Sequence, residues 1–340
     1  MKLYLVFNLI LAALAFSACS PESTSLYLPP VQKLDQQVED PNAVYFDPQV
    51  DILFVVDNSG SMSTHQSNLI KNIDLFTNAF LKNSILDYNI GVLTSDMCDF
   101  GGGDYCGGEL VAKGGYPFVN RKTQNASFVL KTNLNLGING SGTEMFFDPV
   151  YTALTTNLNT TNKGFYRPNS TLLIIFVTDA EDQSRKMNEI SMKSFLLGLK
   201  NNDASKIISL GVIVPSSDNV CMRDAWDKPA SIETLLSFFP LQTQTNVLNL
   251  CSQTYGTELS KMANTIVNQI GRVIYLSRAP VMSSLKVTYG NVDLPSDFKK
   301  GWSYDAAKNA IILGDDIDWS VQPSGSRVKV FYDAAKYDTK

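Results

Sequence analysis

Ile52–Val56 and Leu172–Val177 are apolar at every successive position, not at alternate ones. A strand with one face in water alternates between apolar and polar residues. An unbroken apolar run is instead a strand covered on both faces, as in a parallel sheet between two helical layers. Tyr88–Thr94 and Ile207–Val214 read as further strands of this kind, and Arg272–Ser277 as a last one. The segments between carry apolar stripes at helical spacing: Leu69, Ile70, Ile73, Phe76 and Phe80; then Met192, Phe195, Leu196 and Leu199; then Leu259, Met262, Ile266 and Ile270. Strands alternating with helices predict a doubly wound, mostly parallel α/β sheet over residues 50–278, with ligands at the carboxyl ends of its strands.

Beyond Pro280 the rhythm changes. Leu285, Val287 and Tyr289 alternate, as do Val328, Val330 and Tyr332, with Gly and Asp turn signals between the runs. Residues 279–340 therefore read as a small antiparallel β unit.

The first 18 residues read as an export signal: Lys2 is followed by an apolar run from Leu3 to Phe16, too short for a comfortable membrane span. Phe16-Ser17-Ala18-Cys19 resembles the lipobox of bacterial lipoproteins, which implies that Cys19 is acylated and anchors the chain to a membrane. Residues 19–49, with Pro21, Pro29, Pro30, Pro41 and Pro48 among polar residues, read as a flexible tether. Setting Cys19 aside leaves Cys98, Cys106, Cys221 and Cys251, an even number that suits disulfides in an oxidising compartment. Loop-closure entropy favours the local pairs, Cys98–Cys106 and Cys221–Cys251.

Composition narrows the function. The net charge is −5, which argues against nucleic acid held on a basic face. His65 is the single histidine, which removes His-based zinc sites and weakens any Ser-His-Asp triad. Its place on the first helix reads as a solvated helix-face residue. There is no G-x-S-x-G and no P-loop pattern.

The informative residues follow the first strand: Asp57-Asn58-Ser59-Gly60-Ser61, a D-x-S-x-S pattern at a strand's carboxyl end that opens an amphipathic helix. Gly140-Ser141-Gly142-Thr143 precedes another helical segment, and Asp179 ends the most apolar strand. In this order and on these elements, the three parts resemble a von Willebrand factor type A domain with a metal-ion-dependent adhesion site. The resemblance covers about residues 50–278 and carries the metal-site roles onto Asp57, Ser59, Ser61, Thr143 and Asp179. Where that family often has Gly after the last aspartate, this chain has Ala180-Glu181-Asp182, which would alter the loop or bring extra negative charge beside the metal.

The residue types suit the chemistry. Mg²⁺, with Mn²⁺ or Ca²⁺ as alternatives, is a hard cation that takes oxygen ligands and retains water. Ser59, Ser61 and Thr143 offer uncharged oxygens, while Asp57 and Asp179 balance charge. The resemblance implies a protein ligand that presents an Asp or Glu to the metal, and a role in adhesion or complex assembly, not catalysis. A periplasmic scaffold with a structural metal is the alternative reading. An enzyme with a Lewis-acid metal lacks a general base near the motif. Ser20 after Cys19 favours an outer-membrane lipoprotein, because it is not the aspartate that commonly retains lipoproteins in the inner membrane. Both disulfide loops should flank the metal, with Asp99, Asp104 and Trp226 as residues that set ligand specificity. Asp96, Asp99 and Asp104 around Gly101–Gly103 read as a solvated turn, with a second cation site as the lesser reading.

Overall fold

The computed structural model describes residues 43–81, 85–99, 104–221, 228–241, 245–323 and 326–335. Residues 1–18, Cys19, most of the tether and Trp226 lie outside the described residues. Among the described residues, no helix is long and apolar enough to cross a membrane.

The main sheet has six strands: β2 (Gln49–Val56), β3 (Asp87–Thr94), β4 (Phe118–Asn120), β5 (Thr171–Thr178), β6 (Ile207–Ile213) and β7 (Val247–Asn249). Their spatial order is β4-β3-β2-β5-β6-β7. All neighbours run parallel except β4, which is antiparallel to β3 at one edge. Among the described residues, six helices cover it: α1 (Ser63–Leu81), α2 (Ala126–Leu134), α3 (Phe147–Ala153), α4 (Glu189–Leu199), α5 (Ala230–Phe238) and α6 (Tyr255–Gly271).

The continuous apolar runs are explained by what lies on each side. Ile52, Phe54 and Val56 join Leu69, Ile73, Phe76, Leu130, Leu259 and Ile266 in the core under α1, α2 and α6. Leu53 and Val55 point the other way, toward Val150, Met192, Leu196, Ile232 and Leu235 of α3, α4 and α5. Successive strand residues alternate between two cores, so every position must be apolar. The sheet is the doubly wound α/β architecture expected.

Three segments differ from the sequence reading. Ala43–Phe46, assigned above to the tether, is a buried strand, β1. Four residues between Pro41 and Pro48 are too few to show a period. Val273–Tyr275, β8, is not the last strand of the parallel sheet; it pairs antiparallel with β12 (Ala310–Leu313), itself paired with β11 (Trp302–Asp305). Finally, the segment between Cys221 and Cys251 is not all loop, since α5 and the edge strand β7 lie inside it.

The antiparallel unit is therefore larger than residues 279–340. One sheet has the order β1-β13-β9-β10, with β9 (Lys286–Tyr289), β10 (Val292–Leu294) and β13 (Val328–Phe331); the other is β11-β12-β8. Val44, Phe46, Ile274, Tyr289, Trp302, Ile311 and Val330 share its core. The α/β sheet is inserted between β1 and β8, so the chain enters and leaves it through the β unit.

Asp51 is the buried charge at the start of β2. The Arg167 side chain and backbone N–H donate to it at 2.8 and 2.6 Å, and the Ser170 hydroxyl at 2.6 Å. Lys200, at the end of α4, donates from Nζ to Ser170 and to the carbonyls of Arg167 and Pro168. This network ties the loop before β5 to the amino ends of the strands. A cavity of about 440 Å³ opens at that end, with Arg167 on its wall already paired with Asp51 and Asp87.

Candidate metal centre

Parallel strands put their carboxyl ends on one face, and β2 and β5 are adjacent there. Asp57 follows β2 and Asp179 follows β5, and both are almost fully buried. The chain turns after Asp57 through a short 3-10 segment, Gly60–Met62, into α1. That turn brings Ser59 back over Asp57: the Ser59 N–H donates to Asp57 Oδ1 at 2.8 Å. The Thr178 hydroxyl donates to the other oxygen, Oδ2, at 2.7 Å. Ser59 and Ser61 hydroxyls are 3.0 Å apart, and Ser61 donates to Asp179 Oδ1 at 3.0 Å. Asp57, Ser59, Ser61 and Asp179 are thus linked in one chain of polar contacts across β2 and β5.

Thr143 arrives on a separate loop that is fastened to this turn at several points. Gly140 N–H donates to the Asn58 carbonyl at 2.8 Å. Asn58 Nδ2 donates to Asp96 Oδ2 at 3.0 Å, and Asp96 Oδ1 accepts the Ser141 N–H at 2.7 Å. The Ser141 hydroxyl then accepts the Thr143 N–H at 3.0 Å. Asp96 is a buried positioning residue that joins three loops, so it does not sit in a solvated turn.

The third loop, after Asp179, is locked to α3. Asp182 accepts the N–H groups of Phe146 and Phe147, and Asp148 accepts those of Arg185, Lys186 and Met187. Glu181 accepts the N–H groups of Ala230 and Ser231 at the start of α5. The acidic pair after Ala180 is therefore engaged by backbone N–H groups. Burial pushes the Asp182 carboxyl up to about 6, against the pull of its N–H partners.

The site's electrostatics favour a cation. Burial raises Asp57 to about 6, opposed by its Ser59 and Thr178 partners and reinforced by the charge of Asp179. A further carboxylate, Glu144, was not evident from sequence. It follows Thr143 and is pushed up to about 7, chiefly by burial and then by the charges of Asp57 and Asp179. Among the described residues, neither Asp57 nor Glu144 has a Lys or Arg ion-pair partner. Nor do the described residues contain a cluster of three or more His, Cys, Asp or Glu of the ordinary metal-ligand kind. Carboxylates mixed with serine and threonine hydroxyls are a hard oxygen set, which fits Mg²⁺ or Mn²⁺ and not a soft metal.

Both disulfides are formed, Cys98–Cys106 and Cys221–Cys251. The first follows β3 and the second joins the segments after β6 and β7, so they stand on either side of β2 and β5. Asp99 pairs with Arg185 at 2.9 Å, joining the first disulfide loop to the loop after Asp179. Asp104 is exposed. Asp96 and Asp99 are engaged by separate partners, Asn58 and Ser141 for the one and Arg185 for the other. His65 is half-buried, with Nδ1 enclosed and without a hydrogen-bond partner, so it is not a fully solvated helix-face residue.

No protein-family profile and no curated protein matches the sequence. Solved structures do match. A von Willebrand factor type A protein from Catenulispora acidiphila is 12% identical with a TM-score of 0.37, over 86% of this chain and 62% of that one. The pilus adhesin SpaC from Lactobacillus rhamnosus GG, in its open conformation, is 10% identical with a TM-score of 0.39, over 84% of this chain and 38% of that one. Proximal thread matrix protein 1 from the mussel byssus, in a structure with a zinc-occupied MIDAS motif, is 10% identical with a TM-score of 0.37, over 70% and 52%. The chain spans about half the length of the mussel protein. The matches include the type of domain that the sequence resembles. At these identities and TM-scores they carry no argument about ligand or role, which rest on the site itself.

Proposed function

We propose that the protein binds a divalent cation, Mg²⁺ in the first instance, through Asp57, Ser59, Ser61, Thr143 and Asp179, and uses it to capture an acidic group of a protein ligand. The observation that carries this reading is the convergence of two buried carboxylates and two serine hydroxyls on one face, with no Lys or Arg ion pair on Asp57 among the described residues. When bound, the cation supplies an electrophilic point for an incoming carboxylate. Asp57 and Asp179 compensate its charge, and the hydroxyls hold it without neutralising it. Such a site serves adhesion or complex assembly, on a chain exported to the bacterial envelope and anchored through Cys19. We do not read it as an enzyme. A periplasmic scaffold with a structural metal remains the second reading, and ligand capture separates the two.

The test uses the full chain. Mg²⁺ at about 100 times its Kd should add about 2.7 kcal/mol of stability, reversed by EDTA. Asp57→Asn keeps an acceptor for the Ser59 N–H and removes the charge, so it should fold and lose the Mg²⁺ response; Asp179→Asn should do the same. Wild-type Mg²⁺ stabilisation in both variants would reject the site. EDTA-sensitive capture of an envelope protein supports the adhesion reading, while metal-dependent stability without capture supports the scaffold. Intact mass of the membrane fraction should show a lipid-modified chain that begins at Cys19.

A further inference from the structure

The cavity of about 440 Å³ at the amino ends of the strands lies at the far end of the sheet from the metal loops. Its volume is that of a small-molecule site, and it opens where the β unit meets the α/β sheet, a favoured place for one. Phe46, Asp47 and Arg327 reach it from the β unit, and Asp87, Asn89 and Phe118 from β3 and β4. Four cations stand on its wall, Arg121, Lys122, Arg167 and Arg327, against two carboxylates, Asp47 and Asp87. Arg167 is committed to Asp87 at 2.5 Å and to Asp51 at 2.7 Å. The other three cations outnumber the other carboxylate of the wall, Asp47. Arg327 approaches Asp47 only to 3.8 Å, with both side chains more than one-third exposed. Among the described residues, Lys122 has no ion pair. These cations are also held in place. Arg121 donates from both Nε and Nη2 to the Leu86 carbonyl, which fixes its guanidinium plane. Asn120 Oδ1 accepts the Lys122 N–H at 2.9 Å, and Thr123 Oγ1 accepts the Asn120 N–H at 3.0 Å, so the turn that carries Lys122 is built.

Excess positive charge on a concave wall draws an anion, and donors that are already fixed lose little freedom when it binds. The rest of the wall narrows the class. Phe46, Ile85 and Phe118 are apolar, while Asn89, Asn120 and Ser326 carry neutral polar groups. An apolar surface beside neutral donors and acceptors suits a ring with a C–H face and hydroxyl edges. We propose that this cavity binds a small acidic sugar, a single ring bearing a carboxylate or phosphate, with the acidic group toward Lys122, Arg121 and Arg327. The site is separate from the metal centre and does not depend on it. Because its wall is drawn from both the β unit and the α/β sheet, a bound ligand would bridge the two.

The experiment is calorimetric titration of the full chain in EDTA, so that no metal offers a second place for an acid. The probes are glucuronate, glucose 6-phosphate, glucose and inorganic phosphate. At least one of the two acidic sugars should bind saturably, about 10-fold or more tighter than glucose and than phosphate, since a charge-assisted contact is worth about that factor. Which of the two binds tells carboxylate from phosphate. Lys122→Glu should weaken that binding about 10-fold or more, and Arg327→Ala should weaken it in the same direction. Both residues are on the surface of the wall, and circular dichroism checks that each variant is folded. Lys261→Ala, an exposed lysine of α6, and Asp57→Asn, at the other end of the sheet, should both bind as wild type. No saturable binding of either acidic sugar would overturn the proposal. So would binding that survives both Lys122→Glu and Arg327→Ala, because it would lie elsewhere. Phosphate bound as tightly as the sugars would overturn the sugar class and leave only an anion site. None of these results touches the metal reading, which Mg²⁺ stabilisation tests separately.

Discussion

Gly140 offers a sharp test of how the metal loops are held together. Its N–H donates to the Asn58 carbonyl, so its backbone lies directly against Asn58. An alanine methyl at 140 would lie 2.5 Å from both Asn58 Nδ2 and Oδ1, far inside contact distance. Asn58 cannot simply turn aside, because it is buried and held from two directions. Its Nδ2 donates to Asp96 at 3.0 Å, and its Oδ1 accepts from the Ser95 hydroxyl at 3.2 Å. Gly140→Ala must therefore either overpack the junction, at a cost of about 1–3 kcal/mol, or break the charge-assisted bond to Asp96, at about 1.5–3 kcal/mol. Against this stands the ordinary gain of about 0.4–1 kcal/mol from a less flexible unfolded chain, since Gly140 does not need a left-handed backbone. The net expectation is a loss of up to about 2.6 kcal/mol in urea unfolding. The same displacement moves the loop that carries Thr143 away from Ser59, so Mn²⁺ affinity measured by calorimetry should fall about 10-fold or more. Gly142→Ala is the control, for its methyl would meet nothing within 4 Å and its backbone is not left-handed. It should be neutral or slightly stabilising. Equal stability and equal Mn²⁺ affinity for both variants would refute the idea that Asn58 is the rigid joint between the two loops.

Other expectations follow from the same physics. Burial holds the Lys200 ammonium down to about 7, opposed by Asp51 and reinforced by Lys206 and Arg167. Above pH 7 the unfolded chain binds this proton and the folded chain does not, so stability should rise with pH until the unfolded lysine titrates near 10.4. Relative to Lys200→Met, the wild type should gain about 1 kcal/mol per pH unit between pH 7 and 9 in urea unfolding; a flat difference would reject the burial argument. The disulfides close segments with sequence separations of 8 and 30. Chain entropy then predicts losses of about 2.5 and 3.6 kcal/mol when each pair is replaced by alanines, and a larger loss from the shorter loop would count against that account. Trp226→Ala should leave Mg²⁺ stabilisation intact and reduce EDTA-sensitive capture; unchanged capture would remove Trp226 from the recognition surface. A point substitution leaves the core intact, whereas Ile232, Leu235 and Leu236 of α5 in the same disulfide-closed segment are buried.

Much of the fold is written in local pattern. Ile52–Val56 and Leu172–Val177 are legible as buried strands because two helical layers forbid polar residues on either face. What is not legible depends on distant pairing. Ala43 lies opposite Phe331, and Ile274 opposite Ile311, so β1 and β8 are defined by partners that no local period can reveal. A three- or four-residue strand has too little sequence to show which sheet it joins. Local pattern therefore reveals the β unit but not the strands that distant partners add to it.

The site divides along a similar line, between residues that do chemistry and residues that hold them. Asp57, Ser59, Ser61, Thr143 and Asp179 stand out because a hard cation accepts few residue types, and because the turn after a parallel strand admits few spacings. Asn58 occupies an unspecified position of the D-x-S-x-S pattern, yet it bridges to Asp96 and Gly140. Asp148 and Asp182 look in sequence like surface acids, yet they accept five backbone N–H groups between them. Their partners lie 35–39 residues away, so only the folded chain shows that they fasten one metal loop to another. Glu144 belongs with them. Adjacency to Thr143 was its only signal, and adjacency alone does not say which way a side chain turns. Its contact with Gln183, whose Nε2 donates to Glu144 Oε2 at 2.8 Å, is visible only in the folded chain.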